Sequence, residues 1–323
     1  MRIISHQRIW DHAGHNAFVD LLFNDPEWLC VFRESNSHMK HKDGVIRILA
    51  SYDTKHWHSI GKLVQKGLDL RDPKISRCPD GRLMLLYGAC RYWWGKCRSR
   101  RSYVCFSDDG RKWTKPKAIL DQWDWLWKVT WYEGKAYGFS YGQSDKNDRF
   151  SSWHLTLWCS ENGLQWNKIQ TFPIHGNPNE TAIQFLPDGR MLALVRRDGL
   201  VGDGAWLLKD NEAWIGVSKP PYIEWKWRNS GMYFGGPDLV LDPSRQLWAC
   251  GRKLYKRRSD KKWAAKTVIA RMGLTYLKPV LTLPSGGDTS YPGMIYRDSK
   301  LWIAYYSSHE GKSLIYFAIV EIA

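Results

Sequence analysis

RLMLLYGA at residues 82–89 is one charged residue followed by a run of mostly apolar side chains, and the same phrase returns five more times. It reads EWLCVFRE at 27–34, KAYGFSYG at 135–142, RMLALVRR at 190–197, QLWACGRK at 246–253 and KLWIAYYS at 300–307. The runs begin at Trp28, Leu83, Ala136, Met191, Leu247 and Leu301, so successive copies lie 55, 53, 55, 56 and 54 residues apart. Self-similarity at a fixed period marks a repeat architecture. Six units use nearly all of the 323 residues, and no Pro/Gly/Ser-rich linker interrupts them. One domain spanning 1–323 is expected.

Each unit follows one plan. A first apolar strand (A) runs into a turn, the quoted phrase forms a second strand (B), and two more strands (C and D) follow. The A–B turns carry Pro79, Asp80 and Gly81, then Glu133 and Gly134, then Pro187, Asp188 and Gly189, then Pro243 and Ser244, then Asp298 and Ser299. These are residues that tight hairpins need. Short, β-branched and aromatic strands with turns at this spacing, and no amphipathic helix, point to an all-β chain. Four antiparallel strands, repeated six times around one axis, make a six-bladed β-propeller. After Leu301 the last unit has room for only one further strand, so the segment from Ile3 to Trp10 is expected to supply its fourth. Such closure removes an exposed sheet edge.

Composition narrows the partners. The formal charge is +16, which favours an anionic ligand such as an acidic glycan, a nucleic acid or a membrane surface. Two basic stretches with interleaved aromatics, at 91–101 and 252–258, fall in B–C connections. Alone they would suit nucleic acid, but in a propeller they rim the face where a ligand pocket lies, so a glycan is preferred and no nucleic acid is expected. No apolar run of 18 residues exists, and MRIISHQRIW lacks the continuous apolar stretch of a secretory signal. Seven cysteines without a CxxC pair lead to the expectation of reduced thiols in a cytoplasmic setting, with export by another route left open, and no metal or organic cofactor is expected. Nothing in the sequence indicates an oligomeric state.

In an A–B hairpin the start of A and the end of B share one face. The A-starts offer His15, Arg71 with Asp72, Asp124 with Trp125, Glu180, the run 235–238 ending in Asp238, and Tyr291. The B-ends, five residues past each index position, are Arg33, Gly88, Tyr141, Arg196, Arg252 and Tyr306. Several arginines, a carboxylate and a tyrosine around one funnel would repel or desolvate one another without an anionic ligand.

Three C–D turns share a Ser, an Asp or Asn, and a Trp at matching offsets: Ser51, Asp53 and Trp57; Ser107, Asp109 and Trp113; Ser160, Asn162 and Trp166. They resemble the Asp-boxes of the sialidase (neuraminidase) superfamily of propellers. NETAIQF with Glu180, LALVRRDG with Arg196, WACGRK with Arg252 and TSYPGMIY with Tyr291 match that family's fourth, fifth and sixth blades. The resemblance covers the whole chain. It implies a retaining, exo-acting glycoside hydrolase for an acidic sugar, with Tyr291 as nucleophile and Glu180 as its base. Arg196 and Arg252 would clamp the substrate carboxylate. Blade 1 departs from the family: its first strand reads HNAFVDLL, with His15 where an arginine would begin it. Arg33 or Arg71 would take the third clamp position. The general acid is open among His38, Glu34, Asp72 and Asp124. His15, Asp238 and Trp125 complete the expected binding residues. Two other readings stay open: a propeller that only binds anionic glycans, and a hydrolase or lyase for another acidic polysaccharide.

Overall fold

Each repeat becomes one four-stranded antiparallel sheet, and the six sheets form the blades of a β-propeller. The structure is a computed structural model that describes residues 1–38, 44–143, 153–199, 211–260 and 262–322. A first strand, β1 (Arg2–Trp10), precedes the blades. Blade 1 contains β2 (His15–Asn24), β3 (Glu27–Ser35), β4 (Val45–Ser51) and β5 (His58–Leu63). Blade 2 contains β6 (Asp69–Arg77), β7 (Leu83–Trp93), β8 (Lys96–Ser107) and β9 (Lys117–Ile119). Blade 3 contains β10 (Trp125–Tyr132), β11 (Lys135–Gln143), β12 (Trp153–Ser160) and β13 (Asn167–Phe172). Blade 4 contains β14 (Pro178–Phe185), β15 (Met191–Arg197), β16 (Trp214–Ser218) and β17 (Trp225–Asn229). Blade 5 contains β18 (Gly235–Leu241), β19 (Leu247–Lys256), β20 (Trp263–Met272) and β21 (Leu277–Thr282). Blade 6 has three sequential strands, β22 (Thr289–Arg297), β23 (Lys300–Ser307) and β24 (Leu314–Glu321), and β1 is its fourth. The pairing of β1 with β24 runs from Arg2 opposite Glu321 to Trp10 opposite Ile315, which closes the ring as the sequence predicts.

The three Ser–Asx–Trp turns use one hydrogen-bond pattern. In the first, Ser51 Oγ accepts from Thr54 N at 2.9 Å, and Asp53 Oδ1 accepts from the amides of Lys55 and His56. The Trp57 indole then donates to Thr54 O. Gly110 with Trp113 and Gly163 with Trp166 repeat the geometry. Such turns satisfy their own polar groups, so they hold blade edges without needing a ligand.

The innermost strand of every blade carries a β-bulge at the same place. In each, three residue steps on the inner strand face two on its neighbour, as where Ala17 pairs Arg33 and Asp20 pairs Val31. The first bulged residue has a positive φ in four blades: Phe18 at 61°, Asp72 at 50°, Gly236 at 55° and Tyr291 at 49°. A bulge re-aims its side chains, and here it turns them toward the ring axis.

Just past the bulges, an ion network ties the blades around the axis. Lys128 Nζ donates to Asp20 Oδ1 at 3.1 Å and to Asp238 Oδ1 at 2.7 Å. The second oxygens of the two aspartates accept the backbone amides of Ile75 and Met294, each in the next blade. Lys74 reaches Val19 O and lies over the Trp127 ring. Burial would strip the charge from Lys128, but Asp20 and Asp238 overcome it and keep the group protonated. All seven cysteines are free of disulfides, and among the described residues no helix is long and apolar enough to cross a membrane.

Removing one partner of a buried ion pair leaves the others charged and unsatisfied. Lys128→Met should lower the unfolding free energy by about 3–5 kcal/mol in a denaturant titration. Adding Asp20→Asn and Asp238→Asn to that variant should recover part of the loss.

Candidate active site

Glu180 and Tyr291 both sit on bulges, in blades 4 and 6, and the bulges bring them together. Tyr291 Oη donates to Glu180 Oε1 at 2.5 Å. Arg196 Nη1 donates both to Glu180 Oε2 and to Tyr291 Oη, each at 2.7 Å, and its Nε is held by Asp198. Gly236 N also donates to Glu180 Oε2. One carboxylate oxygen is therefore committed to fixed donors, and the other is left for the phenol proton. Gly236 is required here: a Cβ would stand 2.8 Å from the Tyr291 ring. Edge-on contacts from Phe18 and Trp127 and the guanidinium of Arg252 fix that ring further. Burial pushes the Tyr291 phenol well above its ordinary pKa; Arg196 opposes this and the Glu180 charge adds to it. The phenol is therefore held in its protonated form, with Glu180 Oε1 placed to accept that proton.

Asp72 occupies the corresponding bulge of blade 2. Its carboxyl has no hydrogen-bond partner among the described residues, and it lines the same cavity as Glu180 and Tyr291. Burial pushes it up to about 6; Arg71 opposes and Glu180 reinforces the shift. It therefore holds or gives up a proton close to neutral pH, as a general acid must. Arg71 is anchored by Asp69 Oδ2 and by the carbonyl of His38, with its guanidinium over Phe18. The cavity is about 750 Å³. Trp123, Trp125, Tyr141 and Trp153 wall it, and Arg100 packs against the last three of these rings. A smaller cavity of about 380 Å³ is bordered by Arg196, Arg252, Tyr233, Trp263, Asp198 and Asp288.

Asp288 organises the space between blades 6 and 1. Its Oδ1 accepts from Arg252 Nη2 and from the Tyr306 hydroxyl. Its Oδ2 lies 2.8 Å from His38 Nδ1 and 3.3 Å from His15 Nε2, and those two nitrogens are 3.2 Å apart. Burial works against its charge, but the two imidazoles and Arg252 hold the carboxyl below its usual range. Three ligand-type atoms at these separations match one face of a zinc-like shell, in which ligands lie about 2.0–2.2 Å from the ion. The protons favour a different arrangement. Arg33 Nη1 can only donate to His15 Nδ1, and burial keeps this imidazole neutral, so its proton sits on Nε2, where a metal would need a lone pair. His38 then donates from Nδ1 to Asp288, and its ring lines the larger cavity.

The other sequence candidates lie elsewhere. Arg33 and Asp69 form an ion pair with no solvent exposure, so Arg33 acts on His15 from behind. Glu34 is taken by Arg47 and the Trp10 indole. Asp238 belongs to the axial Lys128 network. Asp124 receives the hydroxyl of Ser140 and lies near His154. The repeat spacing put Arg33, Arg196 and Arg252 at one position, but the register differs in blade 4: Arg197, opposite Pro178, is the counterpart of Arg33 and Arg252. Arg197 packs on Trp214 and donates to the His175 carbonyl, while Arg196 turns to the axis. Asp288 and Asp198 escaped the sequence reading. The only signal for Asp288 is its place after Gly286 and Gly287, ahead of Tyr291; Asp198 lies two residues past Arg196.

No protein-family model matches the chain, and no curated protein matches it. In fold it is similar to a protein of unknown function from Dyadobacter fermentans, with TM-score 0.80 and 16% identity over 100% of this chain and 99% of that one. It is also similar to the α-L-arabinanase of Penicillium chrysogenum complexed with arabinobiose, with TM-score 0.72 and 12% identity over 99% of each chain. The sialidase of Trypanosoma rangeli, in complex with the inhibitor DANA, matches with TM-score 0.66 and 12% identity over 99% of this chain and 58% of that one. At these identities the likeness is one of fold.

A carboxyl whose folded pKa is raised binds its proton more tightly when folded, so it lowers stability once both states are ionised. Asp72→Asn should raise the unfolding free energy at pH 7 by on the order of 1–3 kcal/mol. The gain should shrink as pH falls from about 6 and vanish below the ordinary carboxylate range. Thermal melts at pH 7 and pH 3 check it.

Proposed function

We propose that the chain is a retaining, exo-acting glycoside hydrolase for an acidic sugar. The observation that carries this reading is the 2.5 Å contact between Tyr291 Oη and Glu180 Oε1, with Arg196 Nη1 bonded to both residues. The fold neighbours lend support, since an arabinanase and a sialidase are among them.

In the first step Tyr291 Oη attacks the anomeric carbon while its proton passes to Glu180 Oε1. Asp72, as the acid, protonates the glycosidic oxygen, and the bond to the leaving group breaks. In the second step Asp72, now a carboxylate, takes a proton from water as the water oxygen attacks the same carbon. The Tyr291–sugar bond breaks and Glu180 returns the proton to the phenol. The two displacements retain configuration.

Charge supports an acidic substrate. Arg196 uses Nε and Nη1 within the protein, Arg252 uses Nε and Nη2, and Arg71 uses Nη1. Among the described residues each guanidinium thus keeps a nitrogen with uncommitted hydrogens. Arg196 and Arg252 border the smaller cavity, so a carboxylate placed there would meet two cations. The leaving group would then extend past Asp72 into the larger cavity. What favours turnover over binding alone is Asp72, a carboxyl in the same cavity as Glu180 that holds a proton up to about pH 6.

A panel of 4-methylumbelliferyl glycosides of sialic acid, uronic acids and arabinofuranose tests the substrate class. At least one acidic glycoside should be cleaved, and Tyr291→Phe should reduce kcat by roughly 10³-fold or more. Cleavage of the neutral arabinofuranoside alone would remove the acidic-sugar assignment, and full activity in the Phe variant would remove the nucleophile. For a substrate with a poor leaving group, kcat/KM should fall as pH rises through about 6, because the acid form of Asp72 is lost. That alkaline limb should be absent in Asp72→Asn, whose remaining activity should favour activated leaving groups.

A further inference from the structure

The hairpin of blade 2 carries features that the fold itself does not use. β7 and β8 are the longest strands among the described residues, with 11 and 12 residues. Their last pair is Trp93 opposite Lys96, so Trp94 and Gly95 form a two-residue loop with φ of 51° and 69°. Two positive φ values are the hallmark of a type I′ turn, where Asn-Gly is the favoured sequence and a bulky first residue is strained. The strained residue here is a tryptophan with 87% of its surface exposed, beside Trp93 at 58%. An indole that is strained and not buried contributes nothing to the core, and such outliers concentrate at functional surfaces.

Charge and position indicate what the ring meets. Arg91, Lys96 and Arg98 flank it, all exposed and none paired with a carboxylate among the described residues. Lys96 and Arg98 also line the cavity that ends at Asp72, Glu180 and Tyr291. The hairpin tip therefore continues the larger cavity outward as a short cationic track topped by an aromatic ring.

We propose that this tip binds the sugars beyond the leaving-group residue, so that the substrate is an acidic glycan chain with several charged units. The proposal rests on reading the cavity as a glycosidase site. Trp94 presents a flat apolar face against which a sugar ring can stack, and Arg91, Lys96 and Arg98 meet the acid groups of successive units. A nucleic acid is the less suited occupant, because the track is short and ends in a cavity that holds two carboxyl groups.

Isothermal titration of the Tyr291→Phe protein with oligogalacturonates and α2,8-linked oligosialates of one, two, four and six residues tests it. In one of these acidic series, affinity should rise about tenfold between two and six residues. Trp94→Ala should abolish that rise and leave the one- and two-residue ligands unchanged, and Trp94→Phe should retain most of it. Trp94→Gly should lose the rise without any fall in melting temperature, because glycine relieves the strained φ. The proposal is overturned by affinity independent of length, by no binding of any acidic oligomer, or by an equal, Trp94-dependent gain for oligothymidylate. It is also overturned if Trp94→Ala abolishes only self-association in sedimentation. The underlying reading is tested apart from this: with Tyr291 intact, Trp94→Ala should cleave acidic monoglycosides at the wild-type rate. If wild type cleaves none, the glycosidase reading fails while the length series still decides the platform.

Discussion

One ammonium group at the axis holds the ring in register. Lys128 belongs to blade 3, and its two partners, Asp20 and Asp238, belong to blades 1 and 5. Three alternate blades are thus joined by a single cation, and the aspartates reach on to the backbone of blades 2 and 6. Charge buried in this way is unfavourable by itself, and only complete pairing makes it tolerable. The arrangement fixes the radial position of the inner strands to within a hydrogen-bond length. Everything on the bulges above inherits that precision.

The bulges surround this structural hub with converging polar side chains. A regular inner strand would alternate its side chains between the two faces of its blade. The extra residue interrupts this alternation at one level in all six blades, and a ring of differing side chains faces the axis at that level. Tyr291 and Asp72 occupy it with φ values that glycine takes more readily. In blade 5 the same place is left to Gly236, because the Tyr291 ring fills the space a side chain would need. The polarity of the site is thus distributed: blade 4 supplies Glu180, blade 6 the Tyr291 phenol and blade 2 the Asp72 carboxyl, and none is complete alone.

The repeat made the blades legible, since strand, turn and closure all follow from local patterns that recur. It also led to Glu180, Arg196 and Tyr291, because indexing the hairpins names the residues at their ends. Its limit lies in side-chain direction. A displacement of one residue moves a strand's side chain to the opposite face, and blade 4 contains such a displacement, which exchanges the roles of Arg196 and Arg197. Arg33 has the same register as Arg252, yet one meets buried Asp69 and the other Asp288. Those partners come from neighbouring blades, about which the repeat of one blade is silent. Asp288 sits in a connection, where no periodicity sets the direction of a side chain.

The pairing of β1 with β24 places the two extremes of the described chain side by side in one sheet. During synthesis β1 must wait unpaired until the roughly three hundred residues that separate it from β24 have been added. Five blades can form from contiguous sequence during that interval, but the sixth cannot, and the sixth carries Tyr291. Until the final strand emerges, the nascent ring has an open seam with two unsatisfied strand edges, the condition under which β-rich chains associate wrongly. Translation order thereby makes the blade of Tyr291 the last to be sealed, and a chain that stops before β24 would keep an open seam beside that residue.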